Sequence, residues 1–207
     1  MATVLVVNSS VLGDASASKA LVDEALARLR AEHTSLSVIE RHVGLSPVPH
    51  LTADSTAAVR GGSTANEAQR EALALSDTLI AELKAADIIV IGAPMYNFGI
   101  PSTLKAWFDY VLRAGVTFRY TEAGPQGLLT GKRAIVALTR GGFYTEGPAK
   151  GMDSQEPHLR TLLGFMGIAD VTFVRAEKLG FGPEAREQAM LGAKTELARL
   201  VQDYRAA

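Results

Sequence analysis

The sequence has 207 residues, of which 47% are hydrophobic and 21% charged, with a formal net charge of −1. That length suits one well-buried domain and is short for two, and a near-neutral chain has no basic excess to neutralise nucleic-acid phosphates. Cysteine is absent, which excludes disulfides, thiolate metal sites and cysteine nucleophiles, so any electron transfer must run through a bound cofactor.

The opening MATVLVVNSS lacks the basic segment of a signal peptide. No apolar stretch approaches the ~20 residues that span a bilayer. The expected location is the cytoplasm, with no membrane partner. A first apolar run, Thr3–Asn8, is followed by a serine-rich segment and then by Leu21, Val22, Ala25, Leu26 and Leu29 at helical spacing. The weaker run Ser35–His42 mixes Leu36, Val38 and Ile39 with Glu40 and Arg41 and reads as an edge strand. Gly44–Asn66, rich in Pro, Gly, Ser and Thr, reads as a long irregular connection of the mobile kind. Ala72, Leu75, Leu79, Ile80 and Leu83 mark a second helix before the run Asp87–Ala93.

Pro101 suits a first helical turn, and Leu104, Trp107, Phe108 and Val111 form the stripe behind it. That stripe is expected in the core or at a contact between two copies of the chain. Gly115–Gly131 is an insertion whose Val116–Tyr120 piece is expected to form a short strand off the main sheet. Arg133–Thr139, a helical stretch Pro157–Gly167, Asp170–Ala176 and a last helix Pro183–Tyr204 complete the order.

Four of the strand runs are nearly continuous in Val, Ile and other apolar residues, as in a parallel sheet covered on both faces. Strand–helix alternation then predicts a doubly wound α/β domain covering residues 1–207. Five strands fit the flavodoxin-like order 2-1-3-4-5 better than the six-stranded dinucleotide fold.

In such a sheet, ligands bind beyond the carboxyl ends of the strands. Three segments lie there. NSSVLGDASAS carries Ser9, Ser10, Ser16 and Ser18 and opens a helix, where free N–H groups and hydroxyls suit a phosphate without lysine or arginine. Serines that simply cap the helix would read the same way. APMYNF places Met95, Tyr96, Asn97 and Phe98 after the third strand, a flat apolar wall at the mouth of the sheet. Thr139-Arg140-Gly141-Gly142 lets the backbone approach a planar ligand closely. Neither GxxxxGK[ST], GxGxxG nor GxSxG occurs, and the first strand ends without the carboxylates a receiver domain needs for Mg²⁺. His33, His42, His50 and His158 show no metal-ligand pairing, so they are read as surface or packing histidines.

APMYNFGIPSTLKAWFDYV, the TRGG stretch, RAGVTFRYTEAGPQGLLTGK and LGFMGIADVTFVRAE together resemble the FMN-dependent NADH-azoreductase and NAD(P)H quinone reductase family, over nearly the whole chain. The resemblance implies tightly bound FMN, NADH or NADPH as electron donor, quinones and azo compounds as acceptors, and ping-pong hydride transfer through the flavin. It implies that Ser10, Ser16, Ala17 and Ser18 hold the phosphate and ribityl chain. Met95, Tyr96, Asn97, Phe98, Thr139, Arg140, Gly141 and Gly142 would hold the ring, with the Asn97 backbone near flavin N5. Tyr120 and Phe165 would meet the substrate, each site lying near the interface of a homodimer. No side chain is assigned as catalytic and no metal is expected. Thr139 stands where the family has serine, Ala17 offers only its backbone, and Phe143–Glu156 diverges beside the ring. The alternative is a flavodoxin-type FMN electron carrier without nicotinamide turnover; such carriers are strongly acidic, and this chain is near neutral.

Overall fold

In the computed structural model, residues 2–203 are described. Strands β1 (Ala2–Asn8), β2 (Leu36–Arg41), β3 (Ile88–Pro94), β6 (Arg133–Thr139) and β7 (Asp170–Ala176) form one sheet in the order β2-β1-β3-β6-β7, every neighbour pair parallel. Among these five strands this is the expected 2-1-3-4-5 order. The two lone short strands, β4 (Phe118–Thr121) and β5 (Gly124–Gly127), pair antiparallel with each other apart from it. The short strand expected within Val116–Tyr120 is therefore half of a hairpin.

Both faces of the sheet are covered, which is why its strands lack a polar face. Val4 and Val6 point to one side with Ile88, Val90, Ile135, Ala137 and Val174, under α1 (Ala17–Glu32) and α6 (Pro183–Asp203). Leu5 and Val7 point to the other with Ile89, Ile91, Val136 and Leu138, under α3 (Glu67–Ala85), α4 (Ser102–Val111) and α5 (Glu156–Phe165). Each fully buried aliphatic side chain contributes about 1.5–3 kcal/mol, so the two apolar layers hold the sheet between its helices. Trp107 and Phe108 are wholly buried and meet edge to face at 4.9 Å between centroids; they belong to the core. Tyr204, assigned to the last helix from sequence, lies outside the described residues.

Gly44–Asn66 is not wholly irregular. Within it α2 (Ala53–Gly61) runs for nine residues. Thr52 caps it through a reciprocal pair of bonds with Ser55, and Gly62 ends it in the left-handed region at φ 71°. Ala58 and Val59 of this helix are buried in the core. Asn66 then caps α3 by accepting from the Gln69 N–H. No helix among the described residues is long and apolar enough to cross a membrane.

Candidate functional site

The carboxyl ends of β1, β3, β6 and β7 are tied together one to the next. Ser9 donates from its N–H (3.2 Å) and its hydroxyl (2.6 Å) to the Gly92 carbonyl. The Met95 N–H donates to Thr139 O at 2.8 Å, and the Arg140 N–H to Ala176 O at 2.9 Å. Gly44 packs beneath the first loop; a Cβ there would stand 2.1 Å from Ser10 O, so no other residue fits.

Beyond these ties lies a crevice of about 160 Å³ lined by Ser10, Leu12, Ala15, Ser16, Ala17, Pro94, Tyr96, Thr139, Arg140, Gly141, Leu179 and Arg186. At its α1 end, Ser16 caps the helix by accepting from the Lys19 N–H, and its hydroxyl shares a 3.0 Å hydrogen bond with the buried Ser18 hydroxyl. The first-turn N–H groups of α1, those of Ala17 and Ser18 among them, have no acceptor within the helix and carry its positive dipole end. The Tyr96 hydroxyl lies 3.4 Å from Ser10 Oγ and accepts from the Val11 N–H at 3.3 Å, which fixes the first loop against the third strand's.

At the other end, the 140–142 loop is clamped along its carbonyls. Leu179, Gly180 and Lys178 donate their N–H groups to Arg140, Gly141 and Gly142 respectively, at 3.1, 2.9 and 2.7 Å. The Gly141 and Gly142 N–H groups donate to no protein acceptor among the described residues. A Cβ on Gly141 would meet nothing within 4 Å, so its face is open to the crevice, whereas the Tyr144 ring lies over Gly142.

The loop after β3 is a tight turn. Tyr96 and Gly99 exchange hydrogen bonds of 3.0 and 3.1 Å, and Asn97 and Phe98 between them have φ of 47° and 72°. Two positive φ values make this a hairpin turn of the primed kind. Asparagine tolerates that region; phenylalanine does so at a cost of about 1–3 kcal/mol. The turn is held from outside by the Ser154 N–H on Phe98 O at 3.0 Å. It leaves the Phe98 ring 41% exposed, edge-on to Tyr144 at 6.1 Å.

Arg140 departs most from expectation. Its side chain is 1% exposed, and its guanidinium is wholly engaged by neighbouring side chains. Nε donates to Gln155 Oε1 (3.0 Å), Nη1 to Glu177 (3.1 Å) and Nη2 to Asp153 (2.9 Å), with Glu156 at 3.7 Å. Gln155 in turn donates to the Ala93 carbonyl at 2.8 Å. Burial works against the Glu177 charge, but hydrogen bonds from Thr145, the Tyr144 N–H and Arg140 outweigh it and hold the carboxyl below its ordinary range. Glu156 is likewise disfavoured by burial and brought below that range by Arg175 and Arg160.

Of the expected site residues, Ser10, Ser16, Ala17, Tyr96, Thr139, Arg140 and Gly141 line the crevice, with Ser18 buried behind Ser16. Phe98 and Gly142 line an adjoining apolar cavity of about 500 Å³ with Phe143, Tyr144, Met152 and Phe181. Met95 and Asn97 stand at its turn, not in the crevice lining. Tyr120 and Phe165 are elsewhere: with Phe118, Leu112, Leu162 and Arg60 they line a separate cavity of about 380 Å³ that shares no residue with the crevice. Leu12, Ala15, Pro94, Leu179 and Arg186 were missed from sequence. Pro94 and Ala15 sit inside segments already singled out, but nothing in EKLGFGPEAR signals that Leu179 and Arg186 return to the site. No group of histidines and carboxylates that could hold a metal occurs among the described residues.

The family described as having a flavodoxin-like fold matches residues 2–201. An FMN-dependent NADH:quinone oxidoreductase of Hyphomonas neptunium is 53% identical over 204 residues, covering 99% of this chain and 98% of that protein. One of Azotobacter vinelandii is 49% identical, covering 97% and 100%. Among solved structures, an azoreductase from Bacillus anthracis superposes with a TM-score of 0.89 at 28% identity, covering 98% of this chain and all of that one. An FMN-dependent NADH-azoreductase from the same species, in complex with FMN, gives a TM-score of 0.85 at 25% identity, covering 97% and 100%. The chain belongs to this family of flavodoxin-like fold, in which the FMN-dependent NADH:quinone oxidoreductases stand.

Proposed function

We propose that this chain is an FMN-dependent oxidoreductase, a single domain that takes electrons from NADH or NADPH and reduces quinones and azo compounds. The observation that carries this reading is the split donor set at the crevice: hydroxyls and helix-start N–H groups at the α1 end, and unpaired main-chain N–H groups at Gly141, which lines it, and at Gly142 beside it. A phosphate suits the first and the polar edge of a flat ring suits the second, so the residues present fit FMN. When bound, FMN would supply the two-electron redox chemistry that links nicotinamide oxidation to reduction of the acceptor in a ping-pong order.

The chain's own part is binding, orientation and electrostatics. Ser10, Ser16, Ala17 and Ser18 hold the phosphate and ribityl end. Gly141 and Gly142 present N–H groups to the pyrimidine edge and stabilise negative charge there, as fixed donors in an oxyanion hole do. Asn97, held at φ 47°, would offer its main-chain N–H to the ring. Met95, Tyr96 and Phe98 wall the ring, while Thr139 and Arg140 set the loop that carries the glycines. Arg140 does this through its backbone and its buried anchor.

One apolar slot serves nicotinamide and acceptor in turn, which suits a ping-pong order. We also propose that the functional unit is a homodimer acting in the cytoplasm. Tyr120 is 73% exposed, and its cavity shares nothing with the crevice of its own chain; a partner's crevice is the surface it and Phe165 would complete.

The test is an absorption spectrum of the purified protein before and after anaerobic NADH, followed by NADH consumption with menadione and with methyl red. A yellow protein bleached by NADH and turning over either acceptor is expected. A yellow protein inert to both nicotinamides would be an electron carrier instead.

A further inference from the structure

Given the FMN reading above, on which this rests, we propose that Arg186 is the cation that recognises the flavin's terminal phosphate. The sequence predicts a phosphate site made of serines and helix N–H groups alone. The crevice, however, is lined by two arginines, Arg140 and Arg186, and only one has its charge to spare. The Arg140 guanidinium is spent on Asp153, Glu177 and Gln155. Lys19, the basic residue in the first turn of α1, is engaged by Asp23 at 2.8 Å and Asp14 at 3.5 Å. The Arg186 side chain makes no hydrogen bond or ion pair among the described residues. It stands exposed in the first turn of α6, its own N–H on Gly182 O at 3.1 Å.

The placement follows from the fold. α1 and α6 cover the same face of the sheet, and both begin at its ligand-binding end. The first turn of α6 therefore faces the same crevice as the first turn of α1, and Arg186 reaches it alongside Ser16 and Ala17. Its acidic neighbours on α6 are Glu184, which accepts from Gln188, and Glu187. A phosphate dianion held by Ser16 and the α1 N–H groups carries charge that these neutral donors stabilise but do not balance. A guanidinium matches phosphate geometry with paired N–H donors. The residue also compensates for Ala17, which brings no side-chain donor to the same end.

The test compares FMN with riboflavin, which has the same ring and ribityl chain without the phosphate. Apoprotein is titrated with each by flavin-fluorescence quenching, for wild type, Arg186→Gln and Arg186→Lys. Arg186→Gln should weaken FMN about three- to tenfold, the range between an exposed ion pair and a charge-assisted bond. It should leave riboflavin unchanged, and Arg186→Lys should fall between. Raising ionic strength should weaken FMN binding to wild type more than to Arg186→Gln. An equal loss for both flavins, or no loss for either, would overturn the assignment. So would a raised KM for NADH with unchanged FMN affinity, which would move Arg186 to the nicotinamide nucleotide. Wild-type protein that binds neither flavin would instead defeat the FMN reading itself.

Discussion

Replacing Gly141 by valine separates the fold from the site. A Cβ at this position meets nothing within 4 Å, and its φ lies outside the left-handed region. The chain therefore accepts a side chain here, and apoprotein stability should hold within about 1 kcal/mol, helped by the lost freedom of glycine in the unfolded chain. The isopropyl group must then project into a crevice of only about 160 Å³. It displaces the ring edge from the Gly141 and Gly142 N–H groups. Losing one or two bonds of about 1.5–3 kcal/mol to a charge-bearing edge weakens FMN on the order of a hundredfold. Thermal shift reads both effects together. With FMN at about a hundred times the wild-type Kd, the ligand adds roughly 2.7 kcal/mol. At ~2–4 °C per kcal/mol for a chain of this size, wild type gains about 5–11 °C. The variant at the same FMN concentration sits near its own Kd, gains roughly 0.4 kcal/mol, and shifts by only about 1–2 °C. Equal FMN-induced shifts in the two proteins would show that the ring does not lie against Gly141.

Three further outcomes follow from the surrounding structure. Arg140→Met leaves the part-buried carboxylates of Asp153 and Glu177 without their buried cation and should cost about 3 kcal/mol by urea denaturation, with Arg140→Lys rescuing little because lysine lacks the fork. Glu177 and Glu156 are held below the ordinary glutamate value of about 4.3 in the folded chain. The unfolded chain therefore takes up their protons first, so their stability contribution is full above that value and lost as pH falls through the folded values; urea midpoints should drop from about pH 5 downwards, and less steeply in Glu177→Gln. Phe98→Ile puts a β-branched residue at φ 72° and should lower stability by a further ~1–3 kcal/mol, read from the same denaturation curves, whereas no change would mean the turn relaxes freely.

The sheet was legible because its strands are buried on both faces. Val4 and Val6 pack under one helix layer while Leu5 and Val7 pack under the other, and such burial leaves an uninterrupted apolar run in the sequence. The loops at its carboxyl end were legible for the same topological reason. α2 was not: its capping box uses Ser55 where glutamate or glutamine is the usual signal, and its interior of Ala, Ser, Thr and Val has little period. A tight turn after β3 was legible from the Gly and Pro around it, but its primed form was not, because Asn-Phe is not a recognised primed-turn pair; the Ser154 N–H and the Tyr144 ring contact Phe98 there. Arg140 and Arg186 could not be read correctly because their surroundings come from far along the chain. Arg140 meets Asp153, Gln155 and Glu177, while Arg186 returns to the first strand's loop only after the last strand is laid down.

The two arginines in the crevice lining are engaged in different ways. Arg140 is adjacent in sequence to the donors at Gly141 and Gly142, yet its charge is neutralised by the part-buried carboxylates of Asp153, Glu156 and Glu177. It fixes the loop from below, through Gln155, to the Ala93 carbonyl of β3. Residues 178–180 fix the same loop from the side by taking up its three carbonyls. The Gly141 and Gly142 N–H groups, which donate to no acceptor among the described residues, sit on a loop fixed in this way, which is the condition for donors that stabilise developing charge without reorganising. On the proposed placement of FMN, a cation at the same place would favour the anionic form of the ring over the neutral one. With the Arg140 charge engaged beneath the loop, the Arg186 guanidinium, which has no partner among the described residues, is the cation that the crevice lining offers to an anionic ligand.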